Sequence, residues 1–217
     1  MFTLLAHGSS HAKHAAQANM LAEKVSQGLD EQVQVSFLSD NALPEGAKVL
    51  PLFLGEGKHM QQDVPALMRS SNASILATPA DAADSLADLV VSELTQESKR
   101  IHVVFVVYQF TGFEKIVAAL YKRAKKCSLV AMATLHGKPN VESVLKNLEQ
   151  QGIKKVVLQP MLLFEGHSLD VCISMTEQTN MDIEIKPALV NIDGMSDWVT
   201  QQFKRANSNK VSHEIIG

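Results

Sequence analysis

The chain has 217 residues, 46% of them hydrophobic and 20% charged, with 20 Lys+Arg against 23 Asp+Glu and a formal net charge of −3. That size and balance suit one larger domain or two small ones sharing a core, exclude an extensively disordered chain, and leave no basic footprint for nucleic acid. Cys127 and Cys172 make neither a disulfide framework nor a CxxC zinc pair, no basic leader is visible, and the longest apolar run, 103–108, is far below a membrane span. A cytoplasmic protein without membrane or nucleic-acid partners is expected.

Apolar runs rich in β-branched residues alternate with amphipathic stretches, the pattern of βαβ units on parallel sheets. Residues 2–6 predict a first strand, and Ala18, Leu21, Ala22, Val25 and Leu29 mark one face of a helix after it. Strands follow at 33–38 and 48–54, then a helix at 60–70, a strand at 74–77 and an alanine-rich helix at 81–94. The polar stretch 95–100 reads as a linker. Beyond it the pattern restarts with a strand at 101–107 and a helix marked by Phe113, Ile116, Val117, Leu120 and Tyr121. A strand at 129–134, a helix carrying Val141, Val144, Leu145 and Leu148, and a strand at 153–158 come next. A last strand is expected over 183–190, kinked or ended by Pro187, and a frayed polar tail from Arg205 onward. The expected fold class is α/β: two similar half-domains, 1–96 and 101–205, each a parallel β-sheet flanked by helices, with a tail at 206–217.

The halves read as copies of one unit. Pro51-Leu-Phe-Leu-Gly-Glu-Gly-Lys-His59 matches Pro160-Met-Leu-Leu-Phe-Glu-Gly-His167, with Lys58 as a one-residue insertion, and Asp63-Val64 and Asp170-Val171 follow the two histidines. So many matched positions indicate a duplication. The stretch from Ser39 to Pro51 is half as long as that from His136 to Pro160, so the first half is expected to lack a helix that the second retains.

Ligands collect at the carboxyl ends of strands in open parallel sheets. His7-Gly8-Ser9-Ser10 follows the first strand: Gly8 permits close backbone approach, and Ser9 or Ser10 either caps the next helix or binds an anionic group. The other reading makes His7 a satisfied turn residue and the serines caps alone. His59 follows the third strand, and Asp63, one turn on, is placed to orient its ring or simply to pair with it at the surface. His11 and His14 share a helix face, read as solvated; His102 and His213 are read as structural or incidental. Glu56 and Glu165 either bind a metal or polarise their loops, and both cysteines read as buried small hydrophobes. GxxxxGK[ST], GxGxxG and GxSxG are all missing, which removes phosphate loops and a serine nucleophile. Two facing imidazoles suit a borderline divalent ion such as Fe(II), Co(II), Ni(II) or Zn(II), and neutral imidazole is also a base.

Leu4-Leu-Ala-His-Gly-Ser-Ser10, Pro51 to His59, Asp63-Val64-Pro65 and the repeated loop from Pro160 to His167 together resemble the class II tetrapyrrole chelatases, in particular the small sirohydrochlorin cobalt- and ferrochelatases. The resemblance implies a bilobal α/β fold and a lyase-class enzyme acting on a tetrapyrrole, as a monomer or weak homodimer. It implies a reaction that places Co2+ or Fe2+, as substrate, in sirohydrochlorin for cobalamin or sirohaem, without an organic cofactor. The family's active-site histidines map onto His7 and His59, as metal ligands and proton acceptors, with Gly8, Ser9, Ser10, Gly57 and Lys58 expected to hold peripheral carboxylates. The chain also departs from the family. Ser39, next to Asp40, stands where many relatives carry an acid, and His136 holds the equivalent place in the second half. That half reads Tyr108-Gln-Phe-Thr-Gly112 in place of a His-Gly motif, which favours one active site, in the first half. His136 and His167 are either a secondary metal site or remnants of the duplication. The alternative to an enzyme is a non-catalytic tetrapyrrole or metal carrier on the same fold.

Overall fold

A computed structural model describes residues 1–8, 12–76, 78–96 and 101–214. Strand β1 (Phe2–Ala6) is buried along its whole length, an apolar run without alternation, as a central parallel strand covered on both faces requires. Helix α1 (Ala12–Leu29) returns the chain to β2 (Val33–Phe37) on one side of β1, while β3 (Lys48–Pro51) lies on the other side and β4 (Ser74–Ile75) beyond it. All pairings are parallel, in the order β2-β1-β3-β4. The order reverses between β1 and β3, and loops that leave such a pair diverge to opposite sides and open a crevice at the strands' carboxyl ends. Helix α2 (Val64–Ser70) occupies the β3–β4 crossover.

The second sheet repeats this plan. Strands β5 (His102–Val107), β6 (Leu129–Thr134), β7 (Lys155–Pro160) and β8 (Asp182–Ile185) pair in parallel as β6-β5-β7-β8. Helices α3 (Ala83–Thr95), α4 (Phe113–Arg123), α5 (Val141–Gln150) and α6 (His167–Ser174) accompany them, and α7 (Met195–Glu214) follows β8. The structure therefore has the expected α/β class, with two four-stranded parallel sheets flanked by helices. No described helix is long and apolar enough to cross a membrane.

Contacts divide the chain into one unit of Met1–Ala82 with Asp193–Gly217 and another of Ala83–Ile192. This differs from the expected break at the polar stretch 95–100, of which 97–100 lie outside the described residues. Helix α3 belongs with the second unit because it packs on α4, where Arg123 Nε sits 2.6 Å from Asp88 Oδ1, and where Lys122 and Arg123 each sit 3.6 Å from Asp84. Helix α7 belongs with the first unit: Phe203 is fully buried, with its ring 4.7 Å from that of Phe2, and α7 packs along α1. Each half of the sequence thus ends in a helix that is part of the other unit. The backbone expected to fray from Arg205 runs on as helix to Glu214.

Other departures are local. The expected strand 48–54 stops at Pro51, and the expected strand 183–190 stops at Ile185, two residues before Pro187 fixes the backbone. Helix α6 was not expected. As the repeat predicts, the β2–β3 connection has only a single 3-10 turn, Leu38–Asp40, where the β6–β7 connection carries α5. Leu43 and Ala47 of that connection join Leu5, Val49, Val64, Leu67 and Met68 in a buried cluster, so two apolar side chains of a loop cover the sheet where a helix face would otherwise lie. In the second unit Val141, Leu145 and Leu148 of α5 close the corresponding core.

Candidate metal centre

His7 follows β1 directly and His59 lies in the segment after β3, so both leave the carboxyl ends of the two strands that flank the order reversal. The rings meet with Nε2 atoms 2.9 Å apart and centroids 4.4 Å apart, at an interplanar angle of 77°. Both ring backs are engaged: His7 Nδ1 lies 2.7 Å from the Gly8 carbonyl oxygen, and His59 Nδ1 lies 2.6 Å from Asp63 Oδ2. A carbonyl and a carboxylate only accept, so each Nδ1 carries a hydrogen and donates it. Two neutral imidazoles have one N–H each. With both spent at Nδ1, the two Nε2 lone pairs face each other, and that arrangement calls for a cation, either a shared proton or a metal ion. With metal–nitrogen bonds of about 2.1 Å, a 2.9 Å separation subtends roughly 90° at the ion, the angle of neighbouring ligands in an octahedral shell.

Each imidazole is held by local sequence chemistry. Gly8 has φ +84°, and a Cβ there would meet the Ser39 hydroxyl oxygen at 3.1 Å, so the residue is glycine for both backbone and space. We expect Gly8→Ala to cost about 1–2 kcal/mol of stability and to move the carbonyl that fixes the His7 ring; a denaturant midpoint measured beside a Co(II) titration checks both effects.

The helix expected at 60–70 is two elements. Residues His59–Asp63 form one π turn, closed by the Val64 N–H donating to the His59 carbonyl, and only then does α2 begin. Asp63, four residues on, reaches the His59 ring within this turn. The pair is about half exposed, so it adds little to stability and its consequence is the orientation and tautomer of the ring.

A pocket of about 950 Å3 opens at this point, lined by His7, Gly8, Leu38, Ser39, Asn41, His59, Asp63, Ala66, Leu67 and Ser70, all of the first unit. Gly57 and Lys58, expected at the substrate, are not among the lining residues; Lys58 precedes His59 and is exposed. Ser9 and Ser10 lie outside the described residues, as does His11. Sequence reasoning missed Asn41, whose φ of +50° ends the 3-10 turn, and the α2 pair Ala66 and Ser70, which the i, i+4 spacing from the Asp63 region places on one face. Asp40 is not among the lining residues: its Oδ2 accepts the Phe37 N–H at 2.9 Å and its Oδ1 accepts the Ser39 hydroxyl at 3.5 Å.

The remaining candidates separate. His14, read as solvated, is buried at 9% exposure with its ring 6.2 Å from Phe37; it shares the apolar stripe of α1 with Ala18, one turn on. His102 Nδ1 lies 3.3 Å from the Lys155 carbonyl, a tie between adjacent strands. In the second unit Tyr108 occupies the position after β5 that His7 holds after β1, and the ring packed edge-on against it, at 5.0 Å, is that of His136. His167 opens α6, and no contact joins it to His136 among the described residues. Glu165 accepts a hydrogen bond from Asn191 at 2.8 Å. Cys172 is fully buried, which pushes its thiol up to about 11 and keeps it protonated near neutrality; burial also raises the Cys127 thiol. No group of three or more His, Cys, Asp or Glu side chains gathers as a metal cage among the described residues, so the imidazole pair leaves most of an ion's coordination shell open.

No curated protein sequence matches the chain. Solved structures do. CbiX, the terminal enzyme for biosynthesis of siroheme in denitrifying bacteria, aligns with a TM-score of 0.71 at 16% identity over 94% of this chain and 98% of its own. SirB from Bacillus subtilis with Fe3+ aligns at 0.74 and 15% identity over 97% and 96%. The sirohydrochlorin chelatase SirB from Bacillus subtilis subspecies spizizenii in complex with cobalt aligns at 0.63 and 15% identity over 94% and 92%. At these identities the likeness is one of fold. The profile of the CbiX family matches residues 2–98 and 108–206, and the chain therefore belongs to the CbiX family of class II chelatases.

Proposed function

We propose that this chain is a sirohydrochlorin chelatase that inserts Co(II) or Fe(II) into the tetrapyrrole, for cobalamin or sirohaem respectively. The observation that carries the reading is the 2.9 Å approach of two imidazole Nε2 atoms whose other nitrogens are already committed. Such a pair holds a divalent ion by two neutral donors, tightly enough to capture it and loosely enough to surrender it to four macrocycle nitrogens. Family membership and the neighbours' substrates support the tetrapyrrole as partner.

Insertion replaces two pyrrole N–H protons by one M2+. In the proposed sequence the ion passes from the histidines to the ring, and the vacated Nε2 pair takes the two protons in turn, the first shared across the 2.9 Å gap and released to solvent before the second arrives. Charge and atoms then balance, no electrons move, and no organic cofactor is needed. Asp63 stabilises the imidazolium formed at His59, and the Gly8 carbonyl does the same for His7. Both rings reach solvent, to which the protons then pass. The pocket offers the Asn41 side chain and the Gly8 backbone to the substrate's carboxylates. Ser9, Ser10, Gly57 and Lys58 are assigned the same partner from the sequence, and the Ser39 and Ser70 hydroxyls, which donate to Asp40 Oδ1 at 3.5 Å and to the Leu67 carbonyl at 3.0 Å, would turn from those partners to join them. Holding ion and ring together supplies the remaining acceleration.

Anaerobic mixing of the protein with sirohydrochlorin and Co(II) or Fe(II), followed by visible absorption, tests the reading. Multiple turnovers above the spontaneous rate support it, and the faster metal indicates the pathway. Stoichiometric binding without acceleration overturns it in favour of a tetrapyrrole or metal carrier.

A further inference from the structure

The π turn at the metal centre has a counterpart that lacks it, and the comparison isolates one residue. After β3 the chain reads His59-Met-Gln-Gln-Asp63-Val64-Pro65; after β7 it reads His167-Ser-Leu-Asp170-Val171-Cys172. In the second case α6 is regular α-helix from His167 onward, and His167 makes neither a hydrogen bond nor an ion pair with Asp170 among the described residues. In the first, the turn is one residue wider and His59 Nδ1 lies 2.6 Å from Asp63. Two differences bear on the backbone: the extra residue, and proline where the second unit has cysteine.

Proline accounts for the backbone. In an α-helix the Pro65 ring would collide with the carbonyl of residue i−4, Gln61, and Pro65 has no N–H to give it. A π turn carries that carbonyl away from the ring, and the extra residue is absorbed where the ladder changes from i−5 to i−4 bonding, the point at which the missing N–H costs nothing. Pro65 then sits within the first turn of α2, where proline is well tolerated. We propose that Pro65 is a positioning residue of the metal centre: it holds His59–Asp63 in the π turn and so sets the tautomer and aim of the His59 ring, while touching neither metal nor substrate. This deepens the proposed chelatase reading and rests on it for the role of His59, but its structural half is testable without any metal.

The test uses the full chain with Pro65→Ala, and Pro65→Cys as the residue found at the corresponding place in the second unit. In the metal-free protein, nitrogen-15 NMR of the histidine rings reports the hydrogen-bonded His59 Nδ1–H; the expected result is loss of that signature in both variants, with melting still well above the assay temperature. Co(II) affinity is expected to fall about 10- to 100-fold, the usual effect of losing a ligand's orienting partner. Adding Asp63→Ala to Pro65→Ala should cost no more affinity than Asp63→Ala alone, since both act through one contact. An unchanged Nδ1 signal, an unchanged Co(II) affinity, or losses that multiply in the double variant would each overturn the proposal. Failure of the wild-type protein to turn over sirohydrochlorin would instead count against the chelatase reading, and leaves the ring signal and the Co(II) titration as independent measures of Pro65.

Discussion

Replacing His59 by alanine is expected to lower the rate of Co(II) or Fe(II) insertion by about 10²- to 10⁴-fold, the span over which removal of a proton-accepting group usually falls. His7→Ala should do the same, and the double variant should lose little more than either single one. Both expectations follow from the proposed role: with Nε2 atoms 2.9 Å apart the rings would serve one ion and pass on its two protons together, which one ring by itself would not do. Melting should hardly move, because His7 is exposed and the His59 side chain is 43% exposed. Steady-state rates with each metal, alongside thermal melts, check the pair of statements. A fall in melting temperature that paralleled the fall in rate would show the histidines to be structural.

The second large effect is on stability and lies far from the metal. Phe203→Ala should destabilise the protein by about 3–5 kcal/mol, the cost of emptying a phenylalanine site in a packed core. Phe203 has no exposed surface and its ring packs 4.7 Å from that of Phe2, tilted by 49°, at the opposite end of β1 from His7. A change on the outer face of the same helix, at the exposed Gln201 (Gln201→Ala), should be nearly silent. Urea denaturation of the two variants measures the contrast. The result would establish that the first sheet depends on a helix contributed from the far end of the chain.

Much of this arrangement was legible beforehand, and the reasons are local. β1 and β5 announce themselves as unbroken apolar runs. His7 and His59 each follow a strand, and adjacent parallel strands bring their carboxyl ends together whatever the separation in sequence. Asp63 was legible through its spacing from His59. What was not legible depends on partners or on single atoms. The exchange of α3 and α7 between units is hidden because the polar stretch 95–100 looks like a boundary, while the contacts that decide the matter join Phe2 to Phe203 and Arg123 to Asp88. Met195, Trp198, Val199 and Phe203 do carry helical spacing, diluted by polar neighbours. His14 was misread although Ala18, four residues on, lies on the same buried stripe. The π turn differs from an α turn by one hydrogen-bond register, which apolar periodicity does not resolve; Pro65 was its only sign. The accounting of ring hydrogens needed distances.

The bare β2–β3 crossover has a consequence for how selectivity is stored in this protein. A wall of the pocket, Leu38, Ser39 and Asn41, is a short loop segment, while the facing wall, Ala66, Leu67 and Ser70, is helical. Loop walls accept changes in length and side chain at small cost, because few backbone bonds hold them, whereas His7 directly follows a buried strand and His59 sits in a hydrogen-bonded helical turn. The wall of the pocket and its imidazole pair are thus written in different parts of the chain. The duplicated half, with α5 filling the corresponding space, shows what the vacant side would look like if it were closed again.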